Sequence, residues 1–123
     1  MPRKILVIED NQQNMYLTTF MLERRGYEVI QAWDGQQGID AAVRSLPDLI
    51  LLDIQLPEMD GYAVASALKA NPQLARTPIV AVTSYAMAGD RERILASGCN
   101  GYIEKPIDPL RVIKQIEDVL ARA

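Results

Sequence analysis

Acidic residues that follow apolar runs are the groups in this chain most able to carry out chemistry. Glu9 and Asp10 follow the run at residues 5–8, and Asp53 closes the run at residues 49–52. A continuous apolar run predicts a strand buried on both faces. If the two strands are neighbours, about 4.8 Å apart, the three carboxylates repel and raise one another's pKa. A divalent cation such as Mg²⁺ removes that conflict, because it prefers a few carboxylates together with water and phosphate oxygens.

Two further polar groups follow apolar runs later in the chain. Thr83 comes after the run at residues 79–82, and Lys105 comes shortly after residues 101–103. In a parallel sheet these groups share the edge that holds the acids. Mg²⁺ and Lys105 would then neutralise phosphate oxygens and Thr83 would donate a hydrogen bond. The Asp53 carboxylate is therefore a predicted nucleophile toward phosphorus.

The elements that must position these groups alternate regularly along the chain. The patterns predict strands at 5–8, 27–32, 48–52, 79–82 and 101–103, and helices at 11–25, 36–45, 61–70, 86–97 and 110–121. Gly26 and Gly98 are predicted helix ends, and Pro109 suits a first helical turn. Such alternation favours an α/β fold with a doubly wound five-stranded parallel sheet. Of the two common strand orders, 2-1-3-4-5 places the first strand beside the third, and the half-polar second strand suits an edge.

The composition of the chain excludes several classes of function. The 123 residues suit one domain spanning 1–123, with 49% hydrophobic and 24% charged residues. A net charge of −3 gives no basic excess for nucleic acid, and no run is long enough to cross a membrane. With one cysteine and no run long enough for a signal-peptide core, a cytoplasmic protein is expected. We also expect no output domain within the chain. The absence of histidine excludes hydrolases with a histidine base, so a phosphohistidine would have to come from a partner.

Taken together, these residues resemble those of a known family. The set Glu9-Asp10, Asp53, Thr83 and Lys105-Pro106, at this spacing, is similar to the receiver domain of two-component response regulators. The stretches at 10–15, 53–57 and 81–87 most resemble the stand-alone regulators of the bacterial cell cycle. The resemblance covers essentially the whole chain and implies a flavodoxin-like (βα)5 fold with strand order 2-1-3-4-5.

The resemblance implies a phosphoacceptor and a metal site. Asp53 would accept the phosphoryl group, Asp10 would bind Mg²⁺ directly, and Glu9 would bind it through water. The Gln55 main-chain carbonyl would be a further ligand, and Mn²⁺ could replace Mg²⁺. Glu9 stands where the family more often has aspartate, which leaves its metal geometry open. Glu9 and Asp10 could alternatively cap the first helix.

The resemblance also implies a conformational switch. Thr83 would move toward the phosphoryl group, and Tyr102 would rotate inward into the space that Thr83 leaves. Lys105 would bridge the acid and the phosphate, and Pro106 would follow a cis peptide bond. There is a simpler interpretation of each residue. Thr83 could be present as a good strand former, and Tyr102 could have no role beyond packing at the sheet edge.

The first helix and one loop carry apolar residues that could bind partners. If Asn14, Leu17 and Met21 face the sheet, apolar groups remain on the outer side of the helix near the acidic edge. A helix rotated from this arrangement is the alternative. The predicted partner-binding residues are Met15, Tyr16, Phe20, Tyr85 and Met87.

The expected function is that of a single-domain response regulator. It would take a phosphoryl group from a histidine kinase or a histidine phosphotransfer protein, change its affinity for a downstream protein, and catalyse only its own phosphotransfer and dephosphorylation. A receiver-like module acting without phosphorylation and a receiver domain cut from a hybrid kinase remain alternatives. A flavodoxin is disfavoured by the acidic residues after the first strand. A dehalogenase-type phosphatase is disfavoured because Gln55 stands where it needs a second acid.

Overall fold

The alternation of strands and helices is confirmed by the structure, a computed structural model that describes residues 2–56, 59–84 and 88–122. Each apolar run forms a strand, and each run with helical spacing forms a helix. The elements are β1 (Lys4–Ile8), α1 (Gln12–Arg24), β2 (Glu28–Ala32), α2 (Gly35–Ser45), β3 (Leu49–Asp53), α3 (Gly61–Ala70), β4 (Ile79–Thr83), α4 (Ala88–Ala96), β5 (Gly101–Glu104) and α5 (Pro109–Arg122). Within the described ranges, no helix is both long and apolar enough to cross a bilayer.

The strands form one parallel sheet in the predicted order β2-β1-β3-β4-β5. In the register of the sheet, Ile8 lies opposite Leu52 and Asp53 lies opposite Val82. Thr83 lies opposite Glu104. The carboxyl ends of β1, β3, β4 and β5 therefore meet along one edge, which brings together the residues that follow them.

The core forms two layers, one on each face of the sheet. Alternate side chains of a strand point to opposite faces, so Leu6 and Ile8 pack on one side while Ile5 and Val7 pack on the other. The first layer includes buried residues of α2, α3 and α4, and the second includes buried residues of α1 and α5. Every residue of β3 is buried, so its last residue, Asp53, is fixed by packing on both sides.

The strands extend further at this edge than the sequence pattern predicts. β3 includes Asp53, β4 includes Thr83 and β5 includes Glu104. The cause is hydrogen bonding between neighbours: the Ile54 N–H donates to the Val82 carbonyl at 3.0 Å, and the Lys105 N–H donates to the Thr83 carbonyl at 2.8 Å. Asp53 and Thr83 are thus held on the sheet rather than in the loops that follow.

Boundaries elsewhere differ by a few residues. β2 begins at Glu28, because the Tyr27 N–H donates to the Leu22 carbonyl and belongs to the end of α1. Gly26 and Gly98 have φ of +88° and +105° and follow α1 and α4 closely, as predicted. α2 ends at Ser45, as predicted, and its C-cap is Leu46 rather than a glycine, with φ of +48°. The predicted start of the fourth helix, residue 86, lies outside the described residues.

The expected orientation of α1 is wrong for Leu17 and for Met15, whereas Met21 is buried as expected. The helix buries Met15, Thr18, Met21 and Leu22, while Leu17 is 40% exposed. Met15 and Leu22 lie two turns apart, so with Thr18 between them they form one stripe toward the sheet. Met15 is a core residue, and the rotated helix, left open as the alternative, is the observed one.

Candidate active site at the carboxyl edge of the sheet

Asp53 lies at the centre of the edge where the strands end. Its side chain is 2% exposed, and each carboxylate oxygen accepts a hydrogen bond. Oδ1 accepts from the Gln55 N–H at 2.9 Å, and Oδ2 accepts from the Lys105 Nζ at 3.1 Å. A buried carboxylate requires such partners, because transfer of an ionised carboxylate from water to the protein interior costs free energy that hydrogen bonds and ion pairs must offset.

Two more carboxylates converge on Asp53 from the end of β1. Glu9, Asp10 and Asp53 each place one oxygen within 4.8 Å of the others. Glu9 and Asp53 are buried, whereas Asp10 is exposed. The donor set is entirely carboxylate oxygen with one side open to solvent, which suits a hard divalent cation that retains several waters.

Glu9 shows the electrostatic cost of this convergence. Burial, a hydrogen bond with Asp53 and the charge of Asp53 together raise the pKa of Glu9 to about 7. The Asn11 N–H, which donates to Glu9 Oε2 at 3.1 Å, and the Lys105 ammonium, 3.6 Å from Oε1, act in the opposite direction but more weakly. A proton on Glu9 therefore relieves the repulsion, and a cation at the same place would compete with that proton.

Lys105 balances part of the negative charge. Its side chain is 18% exposed, and its ammonium contacts both Asp53 and Glu9. Burial lowers the pKa of Lys105, but attraction to the two carboxylates outweighs burial and the net shift is upward. Lys105 thus stays charged at neutral pH. The Lys105–Pro106 peptide bond is cis, as predicted.

Thr83 and Gln55 lie beside this group. The Thr83 side chain is buried at the end of β4, next to the strand that ends in Asp53. The Gln55 side-chain carbonyl accepts from the Ser84 N–H at 3.3 Å, which links the segments after β3 and β4. The structure therefore gathers Glu9, Asp10, Asp53 and Lys105 at one edge, with Thr83 and Gln55 at its border.

Tyr102 lies on β5, before the end of that strand. It is half-buried on β5 opposite Ala81, two positions before the residue that pairs with Thr83. Its ring packs against the core layer beneath α4 and lines a surface cavity of about 320 Å³ between β5 and α5. Of the predicted partner-binding residues, Tyr16 and Phe20 are exposed on α1, and Tyr85 and Met87 lie outside the described residues.

The capping alternative for the acids after β1 is settled by the neighbouring residue. Asn11 is the N-cap of α1, since its side chain accepts from the Asn14 N–H at 2.9 Å. Asparagine is among the preferred N-cap residues, a signal that sequence reasoning overlooked at this position. Asp10 therefore does not cap the helix.

Comparisons with known proteins agree with this geometry. A family model described as "Response regulator receiver domain" matches residues 5–117. The polar-differentiation response regulator DivK of Brucella anthropi is 45% identical over 123 residues, covering all of both chains, and that of Brucella ovis is 44% identical over the same length.

Solved structures agree as well. The chemotaxis protein CheY4 of Vibrio cholerae has a TM-score of 0.93 at 27% identity, covering 97% of this chain and 99% of its own. The receiver domain of a sensor histidine kinase from Pseudomonas aeruginosa has a TM-score of 0.91 at 35% identity, covering 98% of this chain and 99% of its own, and its structure contains magnesium in the active-site cleft. Sequence and fold thus point the same way: this chain belongs to the response regulator receiver domain family.

Proposed function

We propose that this chain is a phosphorylation-dependent signalling protein in which Asp53 accepts a phosphoryl group from the phosphohistidine of a histidine kinase or phosphotransfer protein. The observation that carries the proposal is the convergence on Asp53 of two further carboxylates and the Lys105 ammonium. Membership of the receiver family supports it. Phosphotransfer and self-dephosphorylation would be its only reactions.

A divalent cation fits the three carboxylates. The Asp10 carboxylate is exposed and suits direct coordination, whereas Glu9 is held by the Asn11 N–H and suits a contact through water. The Gln55 main-chain carbonyl is the further proposed ligand. Mg²⁺, which is seen in the Pseudomonas relative, or Mn²⁺ would neutralise negative charge on the acids and on the transferring phosphoryl oxygens.

The residues of the chain then divide the reaction among them. An Asp53 oxygen forms the new bond to phosphorus while the phosphorus–nitrogen bond of the donor breaks, and its electron pair stays on the imidazole. The Lys105 ammonium, which already contacts Asp53 Oδ2, moves to a phosphoryl oxygen. The Thr83 hydroxyl donates to another, and Tyr102 turns inward as Thr83 shifts. This switch changes the surface that a downstream protein binds.

We also propose that the outer face of α1 binds a partner protein. The rings of Tyr16 and Phe20 are 72% and 50% exposed and stack with centroids 6.3 Å apart. An apolar groove of about 250 Å³ continues from Phe20 to Leu110 on α5, which is 75% exposed. Exposed aromatic side chains beside an apolar groove are well placed to be buried by a docking protein.

Labelling with a small phosphodonor tests the chemistry. The wild type, Asp53→Asn and the matched control Asp118→Asn, an exposed acid on α5, are treated with acetyl phosphate, with and without Mg²⁺. The mass increment of one phosphoryl group is expected in the wild type and the control, only with Mg²⁺, and not in Asp53→Asn. Equal labelling of all three proteins would show that Asp53 is not the acceptor.

A further inference from the structure

Helix α4 is held to the rest of the protein by fewer buried side chains than the other helices. Among its side chains from residue 89 to 96, Ile94 alone is buried, and Leu95 is 55% exposed. Because little apolar surface fixes the helix, polar contacts at its two sides have more influence on its position. Arg91 and Arg93 supply such contacts, each to a different neighbouring part of the fold.

Arg93 connects α4 to the segment that follows Asp53. Its guanidinium lies 4.0 Å from the centre of the Tyr62 ring, and Nη2 lies 3.3 Å from Asp60 Oδ2. Asp60 in turn caps α3 by accepting the Tyr62 N–H at 2.9 Å. The next residue, Gly61, donates its N–H to the carbonyl of Ile54, which directly follows Asp53. A continuous series of contacts thus runs from α4 to the reacting acid.

Arg91 connects α4 to the strand that precedes Lys105. Its guanidinium lies 5.4 Å from the centre of the Tyr102 ring, and Nη2 lies 4.0 Å from Glu104 Oε1. Glu104 is followed by Lys105, whose ammonium contacts Asp53. Arg91 therefore contacts the residue proposed to rotate and the neighbour of the residue proposed to follow the phosphoryl group.

We propose that Arg91 and Arg93 are positioning residues that hold α4 and Tyr102 in the unphosphorylated arrangement and so oppose phosphorylation of Asp53. The inference rests on the proposed function, in which Tyr102 rotates once Asp53 is occupied. That rotation would take the ring face away from Arg91, so this contact would belong to the unphosphorylated state only. A contact made in one state alone lowers the population of the other and weakens any ligand that needs it.

The expected effect is small because the contacts are partly solvated. The side chains of Arg91 and Arg93 are 51% and 63% exposed, and such ion pairs and cation–π contacts are individually weak. We expect removal of both to tighten binding of a phosphoryl mimic about fivefold, equivalent to about 1 kcal/mol. Each single substitution should give part of this change.

Beryllofluoride with Mg²⁺, titrated into the full chain, is the direct test. Arg91→Ala/Arg93→Ala is compared with the wild type and with Arg44→Ala, an exposed arginine of α2. Tighter binding by the double variant, with Arg44→Ala equal to the wild type, is the expected result. Unchanged or weaker binding by the double variant, with normal binding by the wild type, would overturn the inference and leave the proposed function intact.

Hydrogen exchange without any ligand gives an independent readout. Amides of α4 are expected to lose protection in the double variant, while amides of β1 and β3 keep it. Unchanged protection of α4 would also overturn the inference. Failure of the wild type to bind beryllofluoride would instead overturn the proposed function, so the two failures are distinguishable.

Discussion

Replacing Glu9 by glutamine is expected to stabilise the metal-free protein at alkaline pH, although it removes an acid from the site. In the folded protein the Glu9 carboxyl is buried against Asp53, and its pKa is raised from 4.5 to about 7. Glutamine has the same shape as the protonated acid. Its carbonyl can accept from the Asn11 N–H, and its amide can donate to Asp53.

The pH dependence follows from the direction of this shift. Between about pH 4.5 and 7 the folded protein keeps a proton that the unfolded chain has lost, so wild-type stability falls as pH rises through this window. At about 1.4 kcal/mol per pH unit, the full cost above pH 7 is about 3 kcal/mol. The net shift already includes the attraction of Lys105. We expect Glu9→Gln to gain about 1–3 kcal/mol at about pH 8 and almost nothing at about pH 4.5.

Urea unfolding in a chelator, repeated across this pH range, measures the effect. Glu23→Gln, an exposed glutamate on α1, is the matched control and should follow the wild type. Added Mg²⁺ should then stabilise the wild type more than Glu9→Gln, because a ligand stabilises the folded state according to its affinity. A variant that is no more stable than the wild type at about pH 8 would refute this electrostatic account of Glu9.

Three other substitutions test the site and its support. Lys105→Met should lower the free energy of unfolding of the metal-free protein by about 2–4 kcal/mol, because it leaves the Asp53 carboxylate without the Lys105 ammonium. Urea unfolding at neutral pH measures this loss, and Mg²⁺ should restore part of it. A metal-free variant as stable as the wild type would contradict this reasoning. Gly61→Ala should cost about 3 kcal/mol, since its Cβ would lie 2.7 Å from the main-chain oxygen of Ile54, and a thermal midpoint equal to that of the wild type would show that the loop adjusts freely. Leu46→Gly should raise the free energy of unfolding by about 0.5–1 kcal/mol, because φ is +48° there and a side chain is unfavourable; a loss of stability would mean that the half-exposed leucine contributes more by packing.

The fold and the central acids could be predicted because they depend on local and repeated signals. A strand buried on both faces must be apolar throughout, so the runs that end at Ile8 and Leu52 stood out. Parallel order then placed the residues after them at one edge. Asp53, with Glu9 and Asp10, followed from this topology without knowledge of any side-chain contact.

The orientation of α1 could not be predicted in the same way. Met15 and Leu17 are both apolar, and the buried stripe includes the polar residue Thr18. The choice between two rotations of such a helix depends on which side chains fill the space above β1 and β3. The size and shape of that space cannot be read from the sequence. Met15 is therefore predicted on the partner-binding surface but lies in the core.

The arginine contacts of α4 were also beyond sequence reasoning. Charged residues on a helix usually face solvent, and nothing in their spacing distinguishes Arg91 and Arg93 from Arg44. Their partners, Tyr102 and Asp60, lie on different elements. Long side chains reach such partners only after the elements have been placed.

The capping of α1 by Asn11, independently of the exposed Asp10, has a consequence for how this protein can diversify. Asn11 begins α1 by itself, so exchange of its acidic neighbour leaves the start of the helix in place. Natural variants or designed libraries that change position 10 are therefore expected to keep the N-cap of α1. Under the proposed function, in which Asp10 binds the cation, such exchanges would alter the ion preference of the site while the start of α1 stays in place.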